Sequence, residues 1–163
     1  MYEATKHFIE ARQPFCKWPL EYIESVERVN GGIATECFDN ALNLFRTMRG
    51  SMLVSGWVVN KYDADNKLTA ILQHWWVKDS TGKSYDSTPY MTDEYQYVQD
   101  MDIYIYGEKN LSKIQNRVTM NLMYKENIYW LIEQVEPEFS AKPIKNLKTS
   151  VFFRRKNSET EII

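Results

Sequence analysis

The sequence predicts an α+β domain in which N-terminal helices pack on an antiparallel β-sheet. Three observations predict it. Apolar residues recur at helical spacing before residue 50, and three β-rich runs separated by turn-forming clusters follow between 52 and 88. A chain of 163 residues, 44% of them hydrophobic, is long enough to bury one core and too short for two ordinary ones, so residues 1–163 read as a single domain.

Residues 3–12 form a first helix with Phe8 and Ile9 inward, stopped by Pro14. A second helix is expected from about Pro19 to Val29. Proline suits a first helical turn, Tyr22, Ile23, Val26 and Val29 make an apolar stripe, and Asn30-Gly31-Gly32 is a stop signal. A third helix covers about 36–49, with Thr35 as its N-cap and Gly50 at its close. Strands follow at about 52–61, 68–78 and 83–88, the first two joined by Asp63-Ala64-Asp65-Asn66. Ile103-Tyr104-Ile105-Tyr106 reads as a further strand. Residues 121–134, with Leu122, Tyr129, Leu131 and Ile132, fit a helix or a strand.

Charge and composition exclude several classes of function. A net charge of −2 gives no whole-surface attraction to nucleic acid or to an anionic membrane, and nucleic acid is not an expected partner. A local basic patch is 142–156, with six basic residues, no acidic one, and Phe152 and Phe153 inside it; it reads as a solvated edge, or as a dock for an acidic partner or nucleic acid. The start MYEATKHFIEARQPF has no continuous apolar core, so it reads as neither signal peptide nor anchor, and no run reaches membrane-spanning length. Two cysteines, Cys16 and Cys37, do not make a disulfide scaffold, and both are expected reduced in a cytoplasmic protein. Two histidines and two cysteines so dispersed show no metal-ligand spacing, and there is no phosphate-binding glycine loop, so neither a metal nor another cofactor is expected.

The chemistry points instead to a thiol, an imidazole and a carboxylate in chain order. Cys37 lies in the first turn of the third helix, where the positive helix end favours an anion and free amides face a developing oxyanion. Asn40, one turn on, shares that flank and offers a side-chain hydrogen bond. Positions 37, 41, 44, 45 and 48 form one apolar face that turns Cys37 toward the body of the domain. His74 and Asp86 lie on the two arms of a hairpin. In Asp79-Ser80-Thr81-Gly82 the aspartate and glycine fit a type I turn closed by a left-handed glycine, a three-residue loop. That loop sets Lys83 opposite Asp79, Asp86 opposite Trp76 and Thr88 opposite His74, so His74 and Asp86 share a face and Asp79 is a turn former. A two-residue loop would reverse the parity. Trp57, Trp75 and Trp76 read as an aromatic core, or with one ring, Trp76, walling a substrate cleft.

These residues resemble the core of the transglutaminase-like and papain-like cysteine superfamily over about Asn30 to Tyr90. Cys-Phe-Asp-Asn-Ala opens the helix, and HWWVKDSTGKSYDSTP looks like that family's strand pair, a His-x-Trp strand leading through a glycine turn to Asp-x-Thr. The chain is also similar to small bacterial and phage proteins with a Cys-x-x-Asn-Ala helix and a comparable hairpin. The resemblance implies Cys37 as nucleophile, His74 as general base and then acid, Asp86 as imidazole orienter, and attack on an amide or thioester carbonyl of a protein or peptide followed by transfer to water or an amine. Phe38 stands where that family has a bulky residue beside its cysteine, and Asn30 is the nearest upstream oxyanion donor. A non-catalytic binding or inhibitor module on the same scaffold is the alternative function.

Overall fold

The structure, a computed structural model, describes residues 1–63, 68–108, 121–125, 128–135 and 138–144. Helix α1 (Glu3–Arg12) runs into a 3-10 turn (Gln13–Phe15) that contains Pro14, whose missing N–H ends the α-helical ladder there. Strands β1 (Glu21–Ile23) and β2 (Val26–Arg28), helix α2 (Cys37–Thr47), and strands β3 (Met52–Asp63), β4 (Leu68–Lys78), β5 (Ser84–Asp86) and β6 (Gln96–Gln99) follow. Helix α3 (Met101–Glu108) and strands β7 (Asn121–Lys125), β8 (Ile128–Val135) and β9 (Glu138–Ile144) complete the described chain. The class is α+β, as the sequence predicts.

The strands form one sheet in the order β1-β6-β3-β4-β7-β8-β9, with β5 added beside β4 and β2 beside β5. The sheet is mixed rather than purely antiparallel, because β2 and β5 run parallel with Arg28 level with Asp86. Alternation along β3 and β4 separates two cores. On one face Leu53, Trp57, Val59, Ile71, Trp75 and Val77 bury against Phe8 of α1 and Phe38 and Ala41 of α2. On the other, Val54, Val58, Trp76 and Tyr97 pack with Ile23, Val26 and Leu72. Trp57, Trp75 and Trp76 are thus core.

Four local expectations change. Residues 19–29 are two short strands, not a helix: the stripe at Tyr22, Ile23, Val26 and Val29 is aromatic and β-branched, stiff at χ1 in a helix, and β1 finds β6 while β2 finds β5. Residues 103–106 lie in α3 rather than a strand. Its first turn is fixed from outside, with Tyr104 N–H donating to Ser55 Oγ at 2.8 Å, and Asp102 accepting from Lys17 N–H at 2.7 Å. Segment 121–134 resolves as β7 and most of β8, an antiparallel pair. Thr35 does not cap α2; it sits at φ 67, and Glu36 occupies the cap position without a side-chain bond. On α2, Phe45 is 38% exposed while Phe38, Asn40 and Ala41 are buried, so the inward stripe is rotated from the one expected. The turn at 64–66 and the basic stretch beyond residue 144 lie outside the described residues.

Candidate active site

The hairpin between β4 and β5 has the three-residue loop that its turn residues specify. Gly82 takes φ 88, and Asp79 N–H reaches Lys83 O at 2.9 Å. Asp79 is the turn former: its Oδ1 accepts from Thr81 Oγ at 2.6 Å, Thr81 N–H at 2.9 Å and Lys83 N–H at 3.0 Å, and these bonds hold its carboxyl down at about 2. The ladder pairs Val77 with Tyr85 and Lys78 with Ser84. Continued by one step it sets Asp86 opposite Trp76 and on the same face as His74.

His74 and Asp86 meet there, with Nε2 of the ring 2.7 Å from Asp86 Oδ2 and both side chains buried. Nε2 being taken by Asp86, Nδ1 is the ring nitrogen that remains, and Cys37 acts on the imidazole as one of the causes that raise its pKa. The approach of α2 follows from the sheet. The β7 ladder covers β4 from Thr69 to Leu72 and the β5 ladder covers Val77 and Lys78, so His74 lies in the interval between them. Helix α2 packs on β4 with Phe38 edge-on to Trp75 at 4.9 Å, and its first residue is the half-buried Cys37.

Electrostatics bind the three together. Burial alone would push His74 down, yet the hydrogen bond and charge of Asp86, with the Cys37 contact, raise it to about 9. Burial likewise opposes ionisation of Asp86, but His74, the Tyr97 hydroxyl and the Thr88 N–H at 2.8 Å from Oδ1 hold its carboxyl below the ordinary 3.8. Asp86 is therefore a carboxylate facing an imidazole of raised basicity, the arrangement that fixes a ring's orientation for proton transfer.

Two neighbours escape sequence reading. Tyr97 of β6 donates its hydroxyl to Asp86 Oδ2 at 2.7 Å, and Arg28 of β2 donates to Tyr97 Oη at 2.6 Å while Nη1 stands 4.0 Å from Asp86 Oδ2. The misread 19–29 segment concealed Arg28, and a tyrosine eleven residues past Asp86 carries no local mark.

The remaining expected site residues hold other places. Asn40 is buried and clamps the loop ahead of Cys37, its Oδ1 accepting from Ile33 N–H at 2.8 Å and its Nδ2 donating to Ile33 O at 2.7 Å. Trp76 is 0% exposed and stacks beside His74 with centroids 6.3 Å apart, so its ring supports the imidazole from within and walls no cleft. Asn30 is exposed in the bend after β2. The fold also gathers Cys16, Asp100 and Asp102, which the sequence did not suggest. There the Arg12 guanidinium already meets Asp100 Oδ2 at 2.8 Å, and burial together with Asp100 pushes the Cys16 thiol up to about 12.

Gly32 carries a testable constraint. A Cβ at this position would run into the Ser87 carbonyl and crowd the Asn40 amide. Gly32→Ala is therefore expected to lose about 1–3 kcal/mol, as overpacked sites do, and to slow alkylation of Cys37, because Ser87 adjoins the Thr88 amide that holds Asp86. A thermal melt and a timed iodoacetamide reaction check both effects.

No protein-family model, curated protein or solved structure matches this chain. Among the described residues no helix is long and apolar enough to cross a membrane.

Proposed function

We propose that the chain is a cysteine-dependent acyl-transfer enzyme with a transglutaminase-like, papain-like core, acting on an amide or thioester carbonyl of a protein or peptide. The observation that supports this reading is the buried 2.7 Å contact between His74 Nε2 and Asp86 Oδ2, with Cys37 at the head of α2 among the groups that raise the imidazole's pKa. In the forward half-reaction Cys37 reacts as a thiolate paired with the His74 imidazolium, which holds the proton, and its sulfur bonds to the carbonyl carbon. His74 then gives that proton to the leaving amine or thiol as the scissile bond breaks, and a thioester remains on Cys37. In the second half, water or an amine attacks the thioester, His74 takes the incoming proton, and the sulfur departs as thiolate, which restores the pair. The choice of acceptor decides between hydrolysis, deamidation and transamidation.

Cys16 supplies an internal control, since its thiol is half-buried and pushed up to about 12. With iodoacetamide near neutral pH, Cys37 is expected to react at least about tenfold faster than Cys16, and His74→Ala is expected to remove most of that difference. Incubation with p-nitrophenyl acetate is expected to leave an acetyl group on Cys37 by mass spectrometry. Equal, slow alkylation of both cysteines, with no acetyl adduct, would dismiss the proposal.

A further inference from the structure

We infer that Tyr97 and Arg28 are positioning residues that temper the pull of Asp86 on His74, so that the site is a five-residue chain from a half-exposed guanidinium to the sulfur. This rests on the acyl-transfer reading only for its use; the chain of contacts stands without it.

The geometry singles out one atom. Asp86 Oδ2 accepts both from His74 Nε2 at 2.7 Å and from Tyr97 Oη at 2.7 Å, whereas Oδ1 is taken by the Thr88 amide at 2.8 Å. Two donors on one oxygen compete for its electron density, so the tyrosine hydroxyl weakens the hold of that oxygen on the imidazolium. Tyr97 cannot turn away. Its ring packs edge-on to Trp76 at 5.3 Å and to His74 at 5.8 Å, and it is 2% exposed. Burial, with the adjacent Asp86 charge, keeps its phenol protonated and hence a donor. Arg28 fixes the hydroxyl from the other side with Nη1 at 2.6 Å, and is itself tied by Nη2 to Thr92 O at 2.7 Å. It also adds a positive charge 4.0 Å from Oδ2, which opposes protonation of His74 and favours ionisation of Asp86.

The titratable and charged groups of this chain are Cys37 from α2, His74 from β4, Asp86 from β5, Tyr97 from β6 and Arg28 from β2, and the cavity that Arg28 and Tyr97 line also carries Tyr22, Glu24, Asp93 and Tyr95. The sign of the effect separates tempering from mere support. If Tyr97 and Arg28 only held the site together, removing either would loosen the His74–Asp86 contact and let the buried imidazole fall. Tempering predicts the reverse.

The test is titration of ¹⁵N-labelled His74 by NMR in the full chain, in both the parent and a Cys37→Ala background, so that the outcome does not depend on catalysis. Tyr97→Phe keeps the ring and removes the donor; Arg28→Gln removes the charge at a half-exposed position. Each is expected to raise the His74 pKa by on the order of half a unit, about a threefold change in proton affinity, while Arg28→Lys stays closer to the parent. A fall, or no change, in both Tyr97→Phe and Arg28→Gln overturns the inference. Failure of Cys37 to form an acyl adduct, with the shift present, counts against the proposed reaction and leaves the tempering chain intact.

Discussion

Asp86→Asn is expected to slow alkylation and acylation of Cys37 at neutral pH by about 10²–10⁴-fold, the range that a correctly oriented proton-transfer partner supplies. The amide preserves the shape of the side chain but removes the charge that Oδ2 presents to His74 Nε2 at 2.7 Å. Without that charge the buried imidazole follows its desolvation and drops from about 9 to below its ordinary 6.5. Stability follows the same group. Because the folded value lies above the unfolded one, His74 stabilises the parent fully below 6.5, and that contribution is lost as pH rises through about 9. Asp86 shifts the other way, so its own contribution stays constant over this window and is lost only in acid, as pH falls through its lowered folded value. Urea midpoints at about pH 6 and about pH 10 are therefore expected to fall in the parent and to lie closer together in Asp86→Asn. Parent-like alkylation by the variant would remove Asp86 from the chemistry.

Asp100→Ala is expected to cost about 3–5 kcal/mol, the largest loss of stability from any single replacement considered. Asp100 is fully buried behind the site; its Oδ2 accepts from Arg12 Nε at 2.8 Å and from Trp57 Nε1 at 2.9 Å. Truncation removes this carboxylate from the Arg12 guanidinium, which is 5% exposed. The bonds that join the Asp100 main chain to Ser55 remain, N–H to O at 2.9 Å and Ser55 Oγ to Asp100 O at 2.6 Å, so the loss belongs to the carboxylate's contacts with Arg12 and Trp57. Replacing both partners by apolar residues, as Arg12→Met with Asp100→Leu, is expected to recover much of the loss in the same urea titration. A loss under 1 kcal/mol for Asp100→Ala alone would show that the pair contributes little.

What the sequence made legible was chemistry written in neighbouring residues. Asp79 and Gly82 specify a loop, the loop specifies a register, and the register brings Asp86 to the face of His74; each step is local. Cys37 at the head of a helix was legible for the same reason. The losses came where distant partners decide. Tyr22, Ile23, Val26 and Val29 satisfy a helical period and a strand composition alike, and pairing of β1 with β6 and of β2 with β5 selects the strand. Ile103-Tyr104-Ile105-Tyr106 has strand composition, but contacts from Ser55 and from the 17–18 backbone to Asp102 start a helix. Arg28 became visible as part of the site only once β2 was placed, and Tyr97 only once β6 was paired with β3. Trp76 had the residue type of a cleft wall, yet strand alternation and Gly56, where a Cβ would strike its ring, put it in the core.

The parallel ladder between β2 and β5 also sets a timetable. Arg28 and Tyr97, in direct contact, are 69 residues apart along the chain, so contacts of long sequence separation complete the chemistry. On a ribosome adding about 5–20 residues per second, the sulfur is made several seconds before β6 exists to buttress the imidazole's carboxylate. The contacts among His74, Asp86, Tyr97 and Arg28 are thus completed only with late synthesis and folding.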